Sequence, residues 1–199
     1  MSTEIAHLGI RLVGPLQAWG YNSQFSRRNT GLLPTKSAIL GMCCAAMGMP
    51  KGSEQEEGRL KELGRLRFLV VAMPRVRSHG AGQEEPSPVR RIVDYHTVQN
   101  TRTAEGKVKD THLTWRQYLC DASFAALLSG SKTLIEEVGA ALQDPTWGLW
   151  LGRKSCIPAV PVFAGVHETE EAALRALLGA QPLARFTHQR EVDRFEDGS

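Results

Sequence analysis

Positive charge that no carboxylate opposes, set beside glycines and a helix start, is chemistry for holding phosphate, and residues 11–47 carry that combination. The stretch reads as a strand end, a glycine-rich turn Gly14-Pro15-Leu16-Gln17-Ala18-Trp19-Gly20, a basic loop through Arg27 and Arg28, and Pro34-Thr35-Lys36-Ser37 opening a helix. From residue 5 to 53 there is no Asp or Glu, while Arg11, Arg27, Arg28, Lys36 and Lys51 fall in that span. Helix-start amides and Lys/Arg side chains are the groups that neutralise a phosphodiester backbone. A second carboxylate-free stretch, 145–167, holds Arg153 and Lys154. An anionic ligand would touch both stretches if the fold brings them together. The same pattern also suits a solvated basic loop, because charge serves solubility as well.

Other chemistries fit the residues less well. Gly31-Leu32-Leu33-Pro34-Thr35-Lys36-Ser37 mimics a phosphate loop, but that motif needs glycine directly before the lysine, and Thr35 stands there behind Pro34. There is no G-x-S-x-G and no H-E-x-x-H, and the six histidines are scattered. Tyr95-His96 with Lys107 or Lys109 is the one grouping suited to general acid–base work, with an RNA 2′-hydroxyl attacking the next phosphate; a structural role for this pair is the alternative. The four cysteines form no C-x-x-C pair, so no zinc ribbon, metal or cofactor is expected. The N-terminus lacks an apolar signal core and no run approaches the ~20 apolar residues of a membrane span. A cytoplasmic protein with reduced cysteines follows.

The elements that must position these residues come from periodicity. Residues 5–13 alternate, with Ala6, Leu8, Ile10 and Leu12 on one face and His7, Gly9 and Arg11 on the other. Thr35 or Ser37 caps a helix whose Ile39, Met42, Cys43, Ala46 and Met47 repeat at helical spacing, ended by Gly48 and Pro50. Residues 54–63 form a charged surface helix, and 66–73 a strand buried on both faces. A long insertion, 75–114, shows little periodicity; 89–100 reads as one arm of a hairpin, with 101–103 and 107–109 as the other. A segment of that length inside a compact domain generally has a function. Residues 115–128 contain the next strand. Thr133 and Glu136 make a capping box opening a helix that stops at Asp144-Pro145. Residues 149–151 are a short strand, 170–178 a small amphipathic helix, and the tail is polar. The sum is α+β, a βαββαβ ferredoxin-like order, the architecture of RNA-recognition domains. It divides into 1–74 and 115–166 as the core domain, 75–114 as a thumb insertion, and 167–199 as a small C-terminal appendage.

Five blocks carry a resemblance. Gly14 to Gly20; Pro34-Thr35-Lys36-Ser37-Ala38-Ile39-Leu40-Gly41; Asp94-Tyr95-His96-Thr97-Val98; 114–124; and Leu151-Gly152-Arg153-Lys154-Ser155-Cys156 resemble, in the same order, the CRISPR-associated CasD subunits of type I-E Cascade, which belong to the RAMP superfamily. The similarity spans roughly residues 5 to 166. It implies a modified RNA-recognition fold in a crRNA-binding subunit that caps the 5′ handle of the guide. Its thumb hairpin would pack on a neighbouring backbone subunit and kink the guide at its first segment. The implied partners are the crRNA handle, the Cascade backbone subunits and large subunit, and target DNA through the assembled antiviral complex, with no membrane. It also implies a binder and not an enzyme, since a separate type I-E subunit cuts the precursor; in type I-C systems the related subunit cuts the repeat itself.

Read together, residues and resemblance assign Arg27, Arg28, Lys36, Arg153 and Lys154 to phosphates, with Arg11 in the same groove. Trp19 is assigned to base stacking, and Gln17 and Ser37 to base edges. Tyr95, His96, Arg102, Lys107 and Lys109 are the thumb residues expected to meet RNA or a neighbour. The rival is a metal-independent endoribonuclease acting on the repeat RNA, and a third reading is an assembly adaptor with no RNA contact.

Overall fold

The computed structural model describes residues 4–79, 83–103 and 105–192. Strand β1 (Ile5–Val13) leads through β2 (Leu16–Gln17) and β3 (Arg27–Arg28) to helices α1 (Lys36–Ala46) and α2 (Glu54–Leu63). Strand β4 (Arg67–Ala72) is followed by the pairs β5 (Arg75–His79) with β6 (Gln83–Ser87) and β7 (Arg90–Arg102) with β8 (Val108–Cys120). Then come β9 (Ser123–Ser131), α3 (Lys132–Gln143), β10 (Phe163–His167), α4 (Glu170–Leu178), a short 3-10 turn at Leu183–Arg185, and β11 (His188–Arg190).

The alternation of β1 sets the main sheet. Its strand order is β10-β1-β9-β4-β11 and every described pairing within it is antiparallel. Ala6, Leu8, Ile10 and Leu12 bury one face of β1 in the core with Ile39 and Cys43 of α1 and Ile135 and Val138 of α3. Part of the second face is covered too. Leu69, Val71, Ala125 and Leu127 pack under Ala173 and Leu178 of α4, which is why β4 is apolar at consecutive positions. Burial also decides the thiol chemistry: it pushes the Cys43 thiol up to about 12, so this cysteine is inert core.

Helix starts follow local hydrogen bonding. Thr35 Oγ1 accepts the Ala38 N–H (3.3 Å) and Thr169 Oγ1 the Ala172 N–H (3.2 Å). The box expected from Thr133 and Glu136 does not form. β9 runs straight into α3 at Ser131, which makes no side-chain cap, and the Glu4 carbonyl accepts the Lys132 N–H instead (2.9 Å).

Other expectations are corrected by the sheet. Residues 115–120 do not continue into the main-sheet strand but end the hairpin's second arm, because Asp121 at φ +55° turns the chain before β9; Tyr118 and Leu119 still reach the core. The arms pair from Arg90↔Cys120 to Arg102↔Val108, so 101–102 finishes the first arm. Residues 149–151 form a loop closed by Leu151 N–H to the Cys156 carbonyl (2.8 Å). The segment after 167, expected as a small C-terminal appendage, packs on the main sheet: α4 lies over part of it and β11 pairs with β4 at His188↔Val71. Gly80 and Gly82 of the insertion and residues 193–199 lie outside the described ones. No helix among the described residues is long and apolar enough to cross a membrane.

Candidate nucleic-acid interface

The two carboxylate-poor stretches meet. Ala18 donates its N–H to the Leu151 carbonyl (3.0 Å), and Ala159 donates to the Val13 carbonyl (2.7 Å). The approach depends on two glycines. A Cβ on Gly14 would lie 2.7 Å from the Ile157 oxygen, and one on Gly152, at φ +97°, would lie 1.7 Å from the Ala18 oxygen. The glycine-rich turn and the Gly152-Arg153-Lys154 loop are thereby one packed unit at the base of the hairpin.

Arg153 is its staple. The guanidinium donates to the Gln117 carbonyl (2.9 Å) and the Arg28 carbonyl (3.0 Å), and it lies 4.6 Å over the Tyr118 ring. This ties β3 to β8 and to the loop. Beside it opens a cavity of about 710 Å³, lined by Leu16, Ile92, Asp94, His96, Arg116, Tyr118, Arg153, Lys154 and Ser155. Three cations stand there against one carboxylate. The cations are fixed differently. Arg116 Nε donates to Thr114 Oγ1 (3.0 Å), whose hydroxyl donates on to the His96 carbonyl (3.2 Å). Lys154 is exposed. Arg28 stands next to Arg116 in register on β3 and is exposed. His96 Nδ1 lies 3.3 Å from Asp94 Oδ2.

The period of the strand divides the hairpin into two chemistries. Ile92, Asp94, His96, Thr114, Arg116 and Tyr118 share the face just described, while Val93, Tyr95, Thr97, Leu113, Trp115 and Gln117 share the other. Tyr95 and His96 therefore point to opposite sides and cannot act on one atom, which corrects their grouping. Lys107 sits at the far turn, six strand residues or about 20 Å from His96, in a 3.3 Å pair with Glu105. Arg102 is exposed near that turn. The backbone of Lys109 pairs with Thr101, and its side chain lies outside the described ones.

Several expected contacts prove structural. Gln17 is fully buried: its amide nitrogen donates to the Leu12 (2.9 Å) and Ala122 (2.6 Å) carbonyls, and its oxygen accepts from the Trp19 indole (3.1 Å). Trp19 is fully buried as well. Neither has an edge or ring face left for a base, because the tight turn at Gly14–Gly20 folds them inward. Lys36 is held by the Glu191 carboxylate (2.7 Å) and the Gly64 carbonyl (2.8 Å), so its charge is answered within the chain. Ser37 is exposed beside the Thr35 hydroxyl (3.2 Å). Arg11 is exposed on the α4 side of β1, away from the cavity lining.

Sequence periodicity places Arg116 and Trp115 in a core strand and gives Thr114 and Asp94 no part in the site; the signal against that strand is Asp121, a residue type that tolerates a left-handed turn. Among the described residues no His/Cys/Asp/Glu group could hold a metal ion.

Comparison with known proteins gives a consistent result. Residues 7–196 match the family described as CRISPR-associated protein (Cas_Cas5). The chain is 31% identical over 191 residues to the CRISPR system Cascade subunit CasD of Escherichia coli (strain K12), covering 94% of this chain and 82% of that protein. It resembles a chain of a CRISPR RNA-guided surveillance complex with a TM-score of 0.67 and 29% identity, covering 89% of this chain and 69% of the other. A second structure, described as a crystal structure of a Cas protein, gives a TM-score of 0.53 at 28% identity, covering 90% and 68%.

Proposed function

Because the chain belongs to the CRISPR-associated Cas5 family, we propose that it is the subunit that holds the 5′ handle of the crRNA in a type I-E Cascade particle. The observation that carries this reading is the cavity at the hairpin base, where Arg116, Arg153 and Lys154 face a single carboxylate. Unpaired RNA bound there would lay its phosphates along Lys154, Arg116 and Arg28, since phosphate contacts fix register and need only positioned cations. The order β10-β1-β9-β4 with α1 and α3 as crossovers supports a ferredoxin-like, RNA-recognition-type core. RNA is assigned to the hairpin and not to the sheet face such cores commonly offer, because α4 packs on part of that face here and the remaining opening is lined by Glu168, Glu170 and Glu191 as well as by arginines.

The β7–β8 hairpin acts as the thumb. It would meet the neighbouring backbone subunit and kink the guide at its first segment, and the assembled particle, with its large subunit, would engage target DNA. The likeness to CasD supports that partnership.

The test is binding of repeat-derived 5′-handle RNA to the full chain across a salt series. Lys154→Gln should weaken binding and flatten the plot of log K against log salt by about 0.7 for one lost contact to a single strand. An unchanged slope would remove Lys154 from the phosphate path. One observation favours a second reading, a metal-independent repeat endoribonuclease: Asp94 orients His96 beside Arg116 and Lys154. In that chemistry a 2′-oxygen bonds to phosphorus as the 5′-oxygen leaves. Incubation with repeat RNA in EDTA decides between the two. Intact RNA supports the binder, and a 2′,3′-cyclic phosphate product abolished by His96→Ala would establish the nuclease.

A further inference from the structure

The side of the hairpin turned away from the cationic cavity carries an exposed aromatic pair. Trp115 is 40% exposed and Tyr95 58% exposed. They are directly paired across β7 and β8, with ring centroids 5.5 Å apart in an edge-to-face arrangement. Arg27, in register with Trp115 on β3, sets its guanidinium 6.0 Å from the centre of the indole. A separate observation points the same way. Phe25 is 90% exposed and sits at φ +47°, a conformation a bulky side chain adopts only under constraint. The constraint is visible: Gln24 and Arg27 exchange backbone hydrogen bonds (3.0 and 2.8 Å) around it, and the Trp115 N–H donates to the Ser26 carbonyl (2.9 Å). The turn presenting Phe25 is thus bolted to the backbone of Trp115.

We propose that Trp115, Tyr95 and Arg27, with Phe25 on the adjoining turn, form a stacking platform for unpaired bases of the guide strand. This rests on the guide-binding reading above and names how that strand is gripped beyond its phosphates. The charge of the surface selects the occupant. Among the described side chains this face of the hairpin has no carboxylate, while Arg27 and Arg91 lie on it. An aromatic surface with arginine and without acids suits bases flanked by phosphates, since every base has a π-face and arginine can stack as well. Neighbouring strand positions also hand the two chemistries to the two sides of one edge: Arg28 and Arg116 on the cavity side, Arg27 and Trp115 on the platform side. A single strand rounding the short β3 edge meets cations first and rings second. Stacking grips without reading sequence, so the platform confers affinity and position.

The experiment uses the full chain and the repeat-derived handle RNA, intact and scanned with single abasic sites. Trp115→Leu should weaken binding of intact RNA by about 5- to 150-fold, the span measured for loss of one base–aromatic stack, with the salt slope unchanged. Trp115→Phe should keep most of the affinity and serves as the control for folding. The abasic position that harms the parent most should cost Trp115→Leu nothing, because the partner ring is already gone. Parent-like binding by Trp115→Leu overturns the platform and leaves guide binding standing. A loss that is the same at every abasic position also overturns it. Binding that is parent-like while co-purification with neighbouring subunits fails identifies a protein interface and overturns the proposal. If the parent binds no handle RNA, both readings fall.

Discussion

Arg153 is the residue whose removal separates architecture from RNA binding. Its guanidinium makes two hydrogen bonds to backbone carbonyls and stacks on Tyr118. A hydrogen bond from a charged donor contributes about 1.5–3 kcal/mol when sheltered, and a partly exposed cation–π contact about 0.5–1 kcal/mol. The site is only half-buried, so water replaces part of each bond; the expected loss for Arg153→Ala is about 2–3 kcal/mol. For a chain of this size that is about 4–12 °C in Tm. Arg153→Lys restores the charge but not the planar fork that reaches both carbonyls, so it should recover little of this stability. The assay is urea unfolding of parent, Arg153→Ala and Arg153→Lys. If Arg153 served only as a charge for phosphate, both variants would melt like the parent, and an Arg153→Ala loss under about 0.5 kcal/mol would refute the staple.

Three further outcomes follow from the packing. Gln17→Ala removes the side-chain donor to the Leu12 and Ala122 carbonyls and the acceptor of the Trp19 indole N–H in a fully buried site; the loss should be about 3 kcal/mol by urea unfolding. Gly152→Ala forces a Cβ into the Ala18 carbonyl at a left-handed φ, which should cost about 3 kcal/mol or more and speed proteolysis of the 145–161 loop. Stability should also fall in two acid steps. Burial holds the His7 imidazole below its ordinary value of 6.5. The unfolded chain therefore takes up that proton first, and stability erodes as pH falls below about 6.5 until the folded group also protonates. A hydrogen bond from Arg190 holds Glu170 below its ordinary 4.5, so its contribution is present above that value and is lost as pH falls through the lower folded one. Urea midpoints against pH should show both steps. His7→Gln should flatten the first, and Arg190→Gln the second.

Much of the fold was legible because burial writes a period into sequence. The alternation of Ala6, Leu8, Ile10 and Leu12, the continuous apolar run of β4 and the helical stripe from Ile39 to Ala46 all reported the faces they bury. The convergence of the two carboxylate-poor stretches was legible as a condition on the fold, and backbone hydrogen bonds meet it. Residue roles within those stretches were not legible. Gln17 and Lys36 have types that bind RNA, but their partners are the carbonyls of Leu12 and Ala122 and the carboxylate of Glu191, none of which sequence spacing could foretell. The hairpin's two faces were hidden for a different reason. Its second arm continues in register to Cys120 and abuts β9 with only Asp121 and Ala122 between, so one apolar-polar run spanned two strands and concealed Arg116 and Trp115.

The proposed path takes the guide's phosphates through the cavity at the hairpin base. Cryo-electron microscopy of the guide-loaded particle built on this chain tests it directly. Handle phosphates should lie within hydrogen-bond reach of Lys154, Arg116 and Arg28, with the Gly152 loop and the glycine-rich turn still packed together. A handle lying over the α4 side of the sheet, or a cavity filled by a protein neighbour, would contradict it.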